Sequence, residues 1–294
     1  MQLQSEFKKI CPIKENLSMK NLTTFKIGGV AKLALFPQNI DQMLKCLNLC
    51  KKKNLEFIIL VACSNVLVND KGISKIVIFT TYLDDFSIKK DFVICEAGKR
   101  LGILIGVLSD MGLSGLEWGI GIPGSVGGAV YMNAGAFGGQ IGDYVEFVDV
   151  WEDGEIKHLK KDEIFFNYRC SSFTNQKNCV ILKIGLKLNL KTKESCKQLL
   201  HKFTLKRMSA QNVGLPSAGS IFKANTPLPP AFMIEKLGLK GLVQGGAGVS
   251  KVHSGYIVNI SNATSNDVLQ LIDLIRQKVF EKFNVQLELE IVII

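Results

Sequence analysis

The chain holds no apolar run near the roughly 18 residues that cross a bilayer, so no membrane span is expected. Its N-terminus, Met1-Gln-Leu-Gln-Ser-Glu-Phe-Lys-Lys9, lacks the apolar core of an export signal, and a cytoplasmic location is the expectation. Three histidines among 294 residues leave little for a metal centre. The eight cysteines are scattered through apparent strands and helices. Cys46 and Cys50 could share a helical face, but no second pair or adjacent histidine completes a zinc set. No metal is expected, and the thiols read as reduced. Neither repeats nor low-complexity segments occur.

What is present in excess is positive charge, a formal +10. It is mostly lysine spread along the whole chain, as in Lys51-Lys-Lys53, Lys89-Lys90 and Lys160-Lys161. A nucleic-acid interface gathers its charge on one element with aromatics interleaved. Here no basic helix of that kind exists, so a solvated surface that attracts an anionic substrate is expected, with no nucleic-acid partner.

Glycine is concentrated as well. Of 27 glycines, eight lie between residues 119 and 139. Glycine loses more backbone entropy on ordering than other residues, so it is kept where the chain turns sharply or approaches a ligand without Cβ in the way. Successive exposed N–H groups there form anion sites, and a phosphate-bearing cofactor is the first expectation. A tract that merely packs tightly is the other. Gly119-x-Gly121-x-x-Gly124, with Asp143 downstream, fits the dinucleotide fingerprint. Its context does not. That fingerprint follows a hydrophobic strand and opens a helix, whereas Leu116-Glu117-Trp118 precedes this one and Pro123 removes a donor where the helix should start.

Hydrophobic spacing predicts helices over 39–52, 101–111, 194–208 and 266–283. Strands are predicted over 57–61, 76–79, 92–96, 145–151, 155–159, 180–190 and 285–293. The alternation is irregular, which favours an α+β fold over a doubly wound sheet. The expected domains are 1–190, with subdomains of about 1–80 and 81–190, and 191–294.

Several segments, in order, resemble the UDP-N-acetylenolpyruvoylglucosamine reductase (UDP-N-acetylmuramate dehydrogenase) family of peptidoglycan synthesis. They are Thr24-Phe-Lys-Ile-Gly-Gly29, Ser64-Asn65, Gly121-Ile-Pro-Gly-Ser-Val-Gly-Gly-Ala129 and Asn133-Ala-Gly-Ala136. They continue with Asn167-Tyr-Arg-Cys-Ser-Ser-Phe173, Pro216-Ser-Ala-Gly-Ser-Ile-Phe-Lys223, Gly238-Leu-Lys-Gly241 and Gly246-Ala-Gly-Val-Ser250. His253, Asn259 and Leu287-Glu-Leu-Glu290 complete the set. The resemblance implies an FAD-binding domain of the vanillyl-alcohol-oxidase (PCMH) type and a C-terminal α+β substrate domain, in the shorter of the family's two forms. It also implies non-covalent FAD, which relays a hydride from NADPH to the enolpyruvyl ether of UDP-N-acetylglucosamine, and a monomeric enzyme.

The FAD-binding positions it implies are Ile27, Gly28 and Gly29; Ser64, Asn65, Val66 and Leu67; Ile122, Pro123, Gly124 and Ser125; Gly127, Gly128 and Ala129; and Asn133, Ala134 and Gly135. Hydride addition to the vinyl carbon leaves charge on the neighbouring carbon, delocalised into its carboxylate. The chemistry therefore needs a fixed cation there and an acid for the carbanion carbon. Arg169 matches the family's arginine, and its guanidinium fork suits a carboxylate. Ser220 matches the proton donor, although an isolated serine after glycine reads equally as a turn or cap. Glu290 matches the third catalytic residue. Alternation in Leu287-Glu-Leu-Glu-Ile291 also fits a solvent-facing strand, so the resemblance alone selects it. Tyr168, Lys223, His253 and Asn259 are candidates for substrate or nicotinamide contacts.

The match departs at Leu60-Val-Ala-Cys-Ser-Asn65, where Val61, Ala62 and Cys63 stand in a turn that is usually glycine-rich. If glycine's positive φ is needed there, the substitutes carry strain and weaken FAD. A flavin-poor relative that binds the UDP-sugar without turnover is the alternative this raises.

Overall fold

The structure, a computed structural model, describes residues 2–211 and 214–294. It is a mixture of helices and mainly antiparallel strands, an α+β fold. Packing divides it into two compact units. One comprises Met1–Lys14, Leu33–Val61 and Lys75–Lys206; the other comprises Glu15–Lys32, Ala62–Ser74 and Arg207–Ile294. A single cut near residue 190 does not follow this packing, because the short segments 15–32 and 62–74 hydrogen-bond within the second unit. Gly29 N–H donates to Asn69 O at 3.0 Å, and Asn69 N–H donates to the Ile294 carbonyl at 2.7 Å.

In the first unit, α1 (Gln2–Lys8) and α2 (Ile40–Lys52) accompany parallel strands, in which Ala34 and Leu35 pair with Val77 and Ile78 of Ile76–Phe79, and Phe57–Leu60 pairs with the other side of that strand. Asn39 caps α2 through its side chain, and Met43, Cys46, Leu47 and Cys50 recur at helical spacing on the buried face. A five-stranded antiparallel sheet runs in the order Glu155–Lys160, Val145–Glu152, Cys179–Lys187, Phe92–Glu96 and Phe86–Lys89. Against it lie α3 (Leu101–Asp110) and the short α4 (Val126–Tyr131), and their apolar faces share one core with the sheet. The strand expected over 180–190 is two. Lys187 ends the first, and Asn189–Leu190 pairs instead with Leu113–Ser114. The long helix α5 follows (Lys193–Gln211), with Cys196 as its buried residue.

The second unit has a four-stranded sheet ordered Ser217–Ser220, Tyr256–Asn259, Ala247–Val249 and Val243–Gln244, with α6 (Pro230–Lys236) and α7 (Ser265–Phe283). Helix α7 buries Val268, Leu271, Ile272, Ile275 and Val279. Thr264 and Asp267 form a reciprocal capping box at its start, and Asn284 closes it in the left-handed conformation. The strand expected over 285–293 is broken. Leu289 bridges to Phe222, the chain bends at Glu290–Ile291, and Val292–Ile293 then pairs in parallel with Val66–Leu67. Changing partners at the bend is what prevents one continuous strand. No described helix is long and apolar enough to cross a membrane.

Candidate active site

The glycine tract follows a 3-10 turn at Glu117–Gly119 rather than a strand, so the dinucleotide fingerprint is absent in three dimensions as well. Ser125 caps α4, accepting the Gly128 N–H at 3.1 Å. The tract's glycines have different reasons. A Cβ on Gly127 would lie 2.8 Å from the Ala97 carbonyl oxygen, one on Gly135 2.8 Å from Gly139 O, and one on Gly139 2.3 Å from the Trp118 ring. These positions are demanded by packing. Gly128 is not: a Cβ there would meet only the Ser125 hydroxyl, at 3.5 Å, and the residue is exposed. Packing gives no reason for a glycine at this position.

Other positions in the implied FAD set are fixed by the protein. The Ile27 side chain lies in the core with Phe25 and Leu67, and Val66 is buried too. Gly28 has φ of +136°, and a Cβ on Gly29 would lie 2.2 Å from Asp70 O. The Asn133 amide donates to Gln140 Oε1 and the Asn167 carbonyl, and its oxygen accepts the Gly142 N–H. Gly124 O accepts the Leu101 N–H, and Ala134 N–H donates to Ala129 O. Ile122 and Ser64 are half-buried and Pro123 exposed. These segments can present backbone to a cofactor more readily than side chains.

Arg169 occupies the tip of a two-residue hairpin turn between paired Asn167 and Cys170. It holds φ of +52°, a strained conformation for a non-glycine residue, while Tyr168 is not in that region. Arg169 Nη1 donates to the Gly135 carbonyl at 3.0 Å, and its guanidinium lies 5.3 Å from the Tyr168 ring centroid. A cleft of about 410 Å³ is lined by Asn133, Gly135, Tyr168 and Arg169 together with Phe137, Gln140 and Asp143. The first four are positions the sequence singles out; Phe137 and Gln140 are not. Gln140 donates to Asp143 at 2.8 Å, so this carboxylate on the cleft wall is engaged by its neighbour. Phe137 and Gln140 lie in and beside the glycine tract, but only the hairpin much later in the chain shows that they share a wall with Arg169.

Ser220 and Glu290 belong to the second unit. Positive φ at Gly219 and a register shift between Ser217 and Ser220 form a bulge that re-aims the serine. Thr24 Oγ1 holds the start of this strand by donating to Ser217 O at 2.7 Å, a support the sequence does not reveal. The Glu290 N–H donates to the carbonyl of Ile221, next to Ser220, at 2.8 Å. Asn65 Nδ2 donates to the Glu290 carbonyl at 3.1 Å, and Asn65 O accepts the Val292 N–H. Three positions remote in sequence thus meet on adjoining backbone. Lys223 Nζ lies 3.3 Å from Glu288, so this lysine is ion-paired with the other carboxylate of the Leu-Glu-Leu-Glu run.

In the altered turn the strain falls on one residue. Cys63 has φ of +47° and is buried, its carbonyl accepting the Thr24 N–H; Val61 and Ala62 keep negative φ. The β-branched valine is therefore not the strained substitute. Burial pushes the Cys63 thiol up to about 12, so it stays neutral.

Asn259 is buried, and its amide is satisfied within the protein: Nδ2 donates to Phe25 O and Lys26 O, and Oδ1 accepts from Ala263 N. His253 is half-buried, its ring edge-on to Tyr256 with centroids 4.8 Å apart. Its Nδ1 accepts the Gly255 N–H at 3.1 Å, which fixes the neutral tautomer. Burial lowers its pKa below the usual value. Above roughly pH 6.5, the ordinary histidine value, both folded and unfolded chains carry it neutral. Below that, the unfolded chain binds a proton the folded one resists, so stability falls with pH until the folded pKa is reached. Urea midpoints at pH 7 and 5.5 are expected to fall more for the native chain than for His253→Asn; equal falls would refute the linkage.

A family model described as "UDP-N-acetylenolpyruvoylglucosamine reductase, C-terminal domain" matches residues 210–294, and one described as "FAD binding domain" matches 31–160. The UDP-N-acetylenolpyruvoylglucosamine reductase of Thermotoga maritima is 42% identical over 272 residues, covering 92% of this chain and 94% of its own. That of Syntrophomonas wolfei is 38% identical, covering 96% and 95%. Among solved structures, the UDP-N-acetylenolpyruvylglucosamine reductase of Thermus caldophilus superposes with a TM-score of 0.83 at 30% identity, covering 96% of this chain and 99% of that one.

Proposed function

The chain belongs to the UDP-N-acetylenolpyruvoylglucosamine reductase family, and within it we propose that Arg169, Ser220 and Glu290 carry the catalytic chemistry. The protein is an FAD-dependent oxidoreductase that uses NADPH to reduce the enolpyruvyl ether of UDP-N-acetylglucosamine to UDP-N-acetylmuramate, a peptidoglycan precursor. When bound, FAD supplies hydride transfer from NADPH to the terminal vinyl carbon. The residues that would hold it are the backbone segments 27–29, 64–67, 122–129 and 133–135, among which Gly128 is open.

Arg169 pairs with the substrate carboxylate, whose charge rises as the enolate develops. The pairing stabilises the transition state more than the ground state. Its turn is strained, and the Gly135 carbonyl anchors the guanidinium. Ser220 delivers its hydroxyl proton to the carbanion carbon; the alkoxide left behind takes a proton back from water. Glu290 stabilises the enol beside the donor. The observation that carries this assignment is the bond from the Glu290 amide to the Ile221 carbonyl, which sets the expected acid and the expected carboxylate on neighbouring backbone. Tyr168, Lys223 and His253 are assigned to substrate or nicotinamide contacts, and Asn259 to shaping the loop it holds.

Functionally, we assign residues 1–190 to FAD and 191–294 to the UDP-sugar, Tyr168 and Arg169 being the substrate residues of the first part. All eight cysteines are free thiols, consistent with a reducing compartment. We place the protein in the cytoplasm, as a monomer without a nucleic-acid partner, supplying wall precursor for growth and division. An absorbance spectrum tests the whole reading. The purified protein is expected to show a flavin band that bleaches with anaerobic NADPH and returns when the enolpyruvyl substrate is added. A protein that stays colourless with added FAD would overturn it.

A further inference from the structure

Two thiols of the first unit touch. Cys11 Sγ and Cys46 Sγ lie 3.5 Å apart, well inside the core that also holds Phe7, Met43 and Leu47. Cys11 follows α1, at a bend whose N–H donates to Phe7 O, and Cys46 sits in the middle of α2. Two features distinguish this pair from an ordinary buried contact between thiols. First, either sulfur of the contact can donate to the other, and a bond from Cys46, with the Phe36 amide, lowers the Cys11 pKa despite burial. A thiolate rather than a thiol is the nucleophile in thiol oxidation. Second, a cleft of about 430 Å³ opens between the end of α1 and α2, walled by Lys9, Ile10, Lys45, Leu49 and Lys52, the immediate sequence neighbours of the two cysteines. It brings solvent to the residues that flank both cysteines in sequence.

We propose that Cys11 and Cys46 form a reversible redox pair, closing to a disulfide under peroxide and tying the N-terminal helix to α2. Cys11 thiolate attacks one oxygen of the peroxide, the O–O bond breaks, and hydroxide leaves Cys11 as sulfenic acid. The Cys46 thiol then attacks that sulfur, and water leaves as the S–S bond forms. In sum, two thiols and one hydrogen peroxide yield a disulfide and two waters. A disulfide needs about 2.05 Å between sulfurs, so the pair must close by roughly 1.5 Å, which the bend at Cys11 can supply. Cys50, one turn beyond Cys46 and raised to about 12 by burial, is the bystander. None of the three residues belongs to the FAD or substrate sets, so the pair acts as a lock on the fold.

The full chain would be treated with hydrogen peroxide near stoichiometry, alkylated in denaturant, digested with trypsin and mapped by mass spectrometry. The expected product is Ile10–Lys14 joined to Cys46–Lys51, lighter by two hydrogens, with fragmentation placing the link on Cys46 and the alkyl group on Cys50, and two of the eight thiols lost. Dithiothreitol should reverse it. The link should persist in Cys50→Ser, vanish in Cys11→Ser, and raise Tm in the native chain by roughly 5 °C or more. If Cys170, which is partly exposed, is fully oxidised while no such link forms, the proposal fails; a link through Cys50 would overturn it equally. Because the readout is a peptide mass, it holds or fails independently of the reductase reading.

Discussion

Ser220→Ala is expected to slow reduction of the enolpyruvyl substrate by about 10²–10⁴-fold, the usual contribution of a positioned proton donor, while leaving NADPH-driven flavin bleaching intact. A hydroxyl is a weak acid, so it serves only where a strongly basic carbon is held within its reach. The bulge at Gly219 turns the serine out of the regular strand alternation, and the Glu290 segment bonds to the next residue. Losing the hydroxyl from this half-buried position should alter stability by no more than about 1 kcal/mol, so lost turnover would not reflect lost fold. Ser220→Cys, which keeps a transferable proton, should recover part of the rate. Unchanged turnover in Ser220→Ala would remove the serine from the mechanism.

Local periodicity made much of the fold legible. Helix α7 is readable because its apolar stripe and its Thr264–Asp267 cap agree, and α2 because Asn39 precedes a run with Met43, Cys46, Leu47 and Cys50 on one face. What escaped the sequence was long-range pairing. Alternation in 285–293 looks like one strand, but alternation reports burial and not which neighbour each half bonds to; here Leu289 bonds to Phe222 and Val292 to Val66. The same limit hid the assignment of 15–32 and 62–74 to the second unit. At the site, residue identity was readable and purpose was less so. Asn133 and Asn259 stand in matching motifs, yet their amides are satisfied by protein carbonyls and N–H groups. The glycines of the tract differ in what surrounds them. Gly127 and Gly139 are packing glycines, and Gly128 is open.

Asn259→Asp should be the most destabilising of the conservative changes at the matched positions. The side chain has only 8% of its surface exposed. Its Nδ2 donates to Phe25 O at 3.1 Å and Lys26 O at 3.2 Å, and Lys26 itself holds a strained φ of +57°. Aspartate keeps the acceptor for Ala263 N–H but replaces the donor with a second oxygen aimed at two carbonyls. Facing them as a buried anion costs about 3–5 kcal/mol, comparable to breaking a buried pair by removing one partner. The corresponding loss is roughly 10 °C in Tm. The alternative is for the carboxyl to stay protonated and donate to one carbonyl, which raises its folded pKa above the unfolded value near 3.9. The sign of the pH dependence follows. The folded state binds the extra proton, so the variant's deficit is largest at pH 7 and shrinks as pH falls towards 5. Asn259→Ala lacks this proton, and its deficit, about 2–4 kcal/mol from the unpaired carbonyls and amide, should show no such recovery. Urea titrations of the native chain and both variants at the two pH values decide between them. Equal, pH-independent losses would mean the amide is not the clamp on the Phe25–Gly29 loop. If the clamp is real, FAD affinity should weaken with stability, because the Ile27-Gly28-Gly29 backbone assigned to the cofactor is the chain that Asn259 holds.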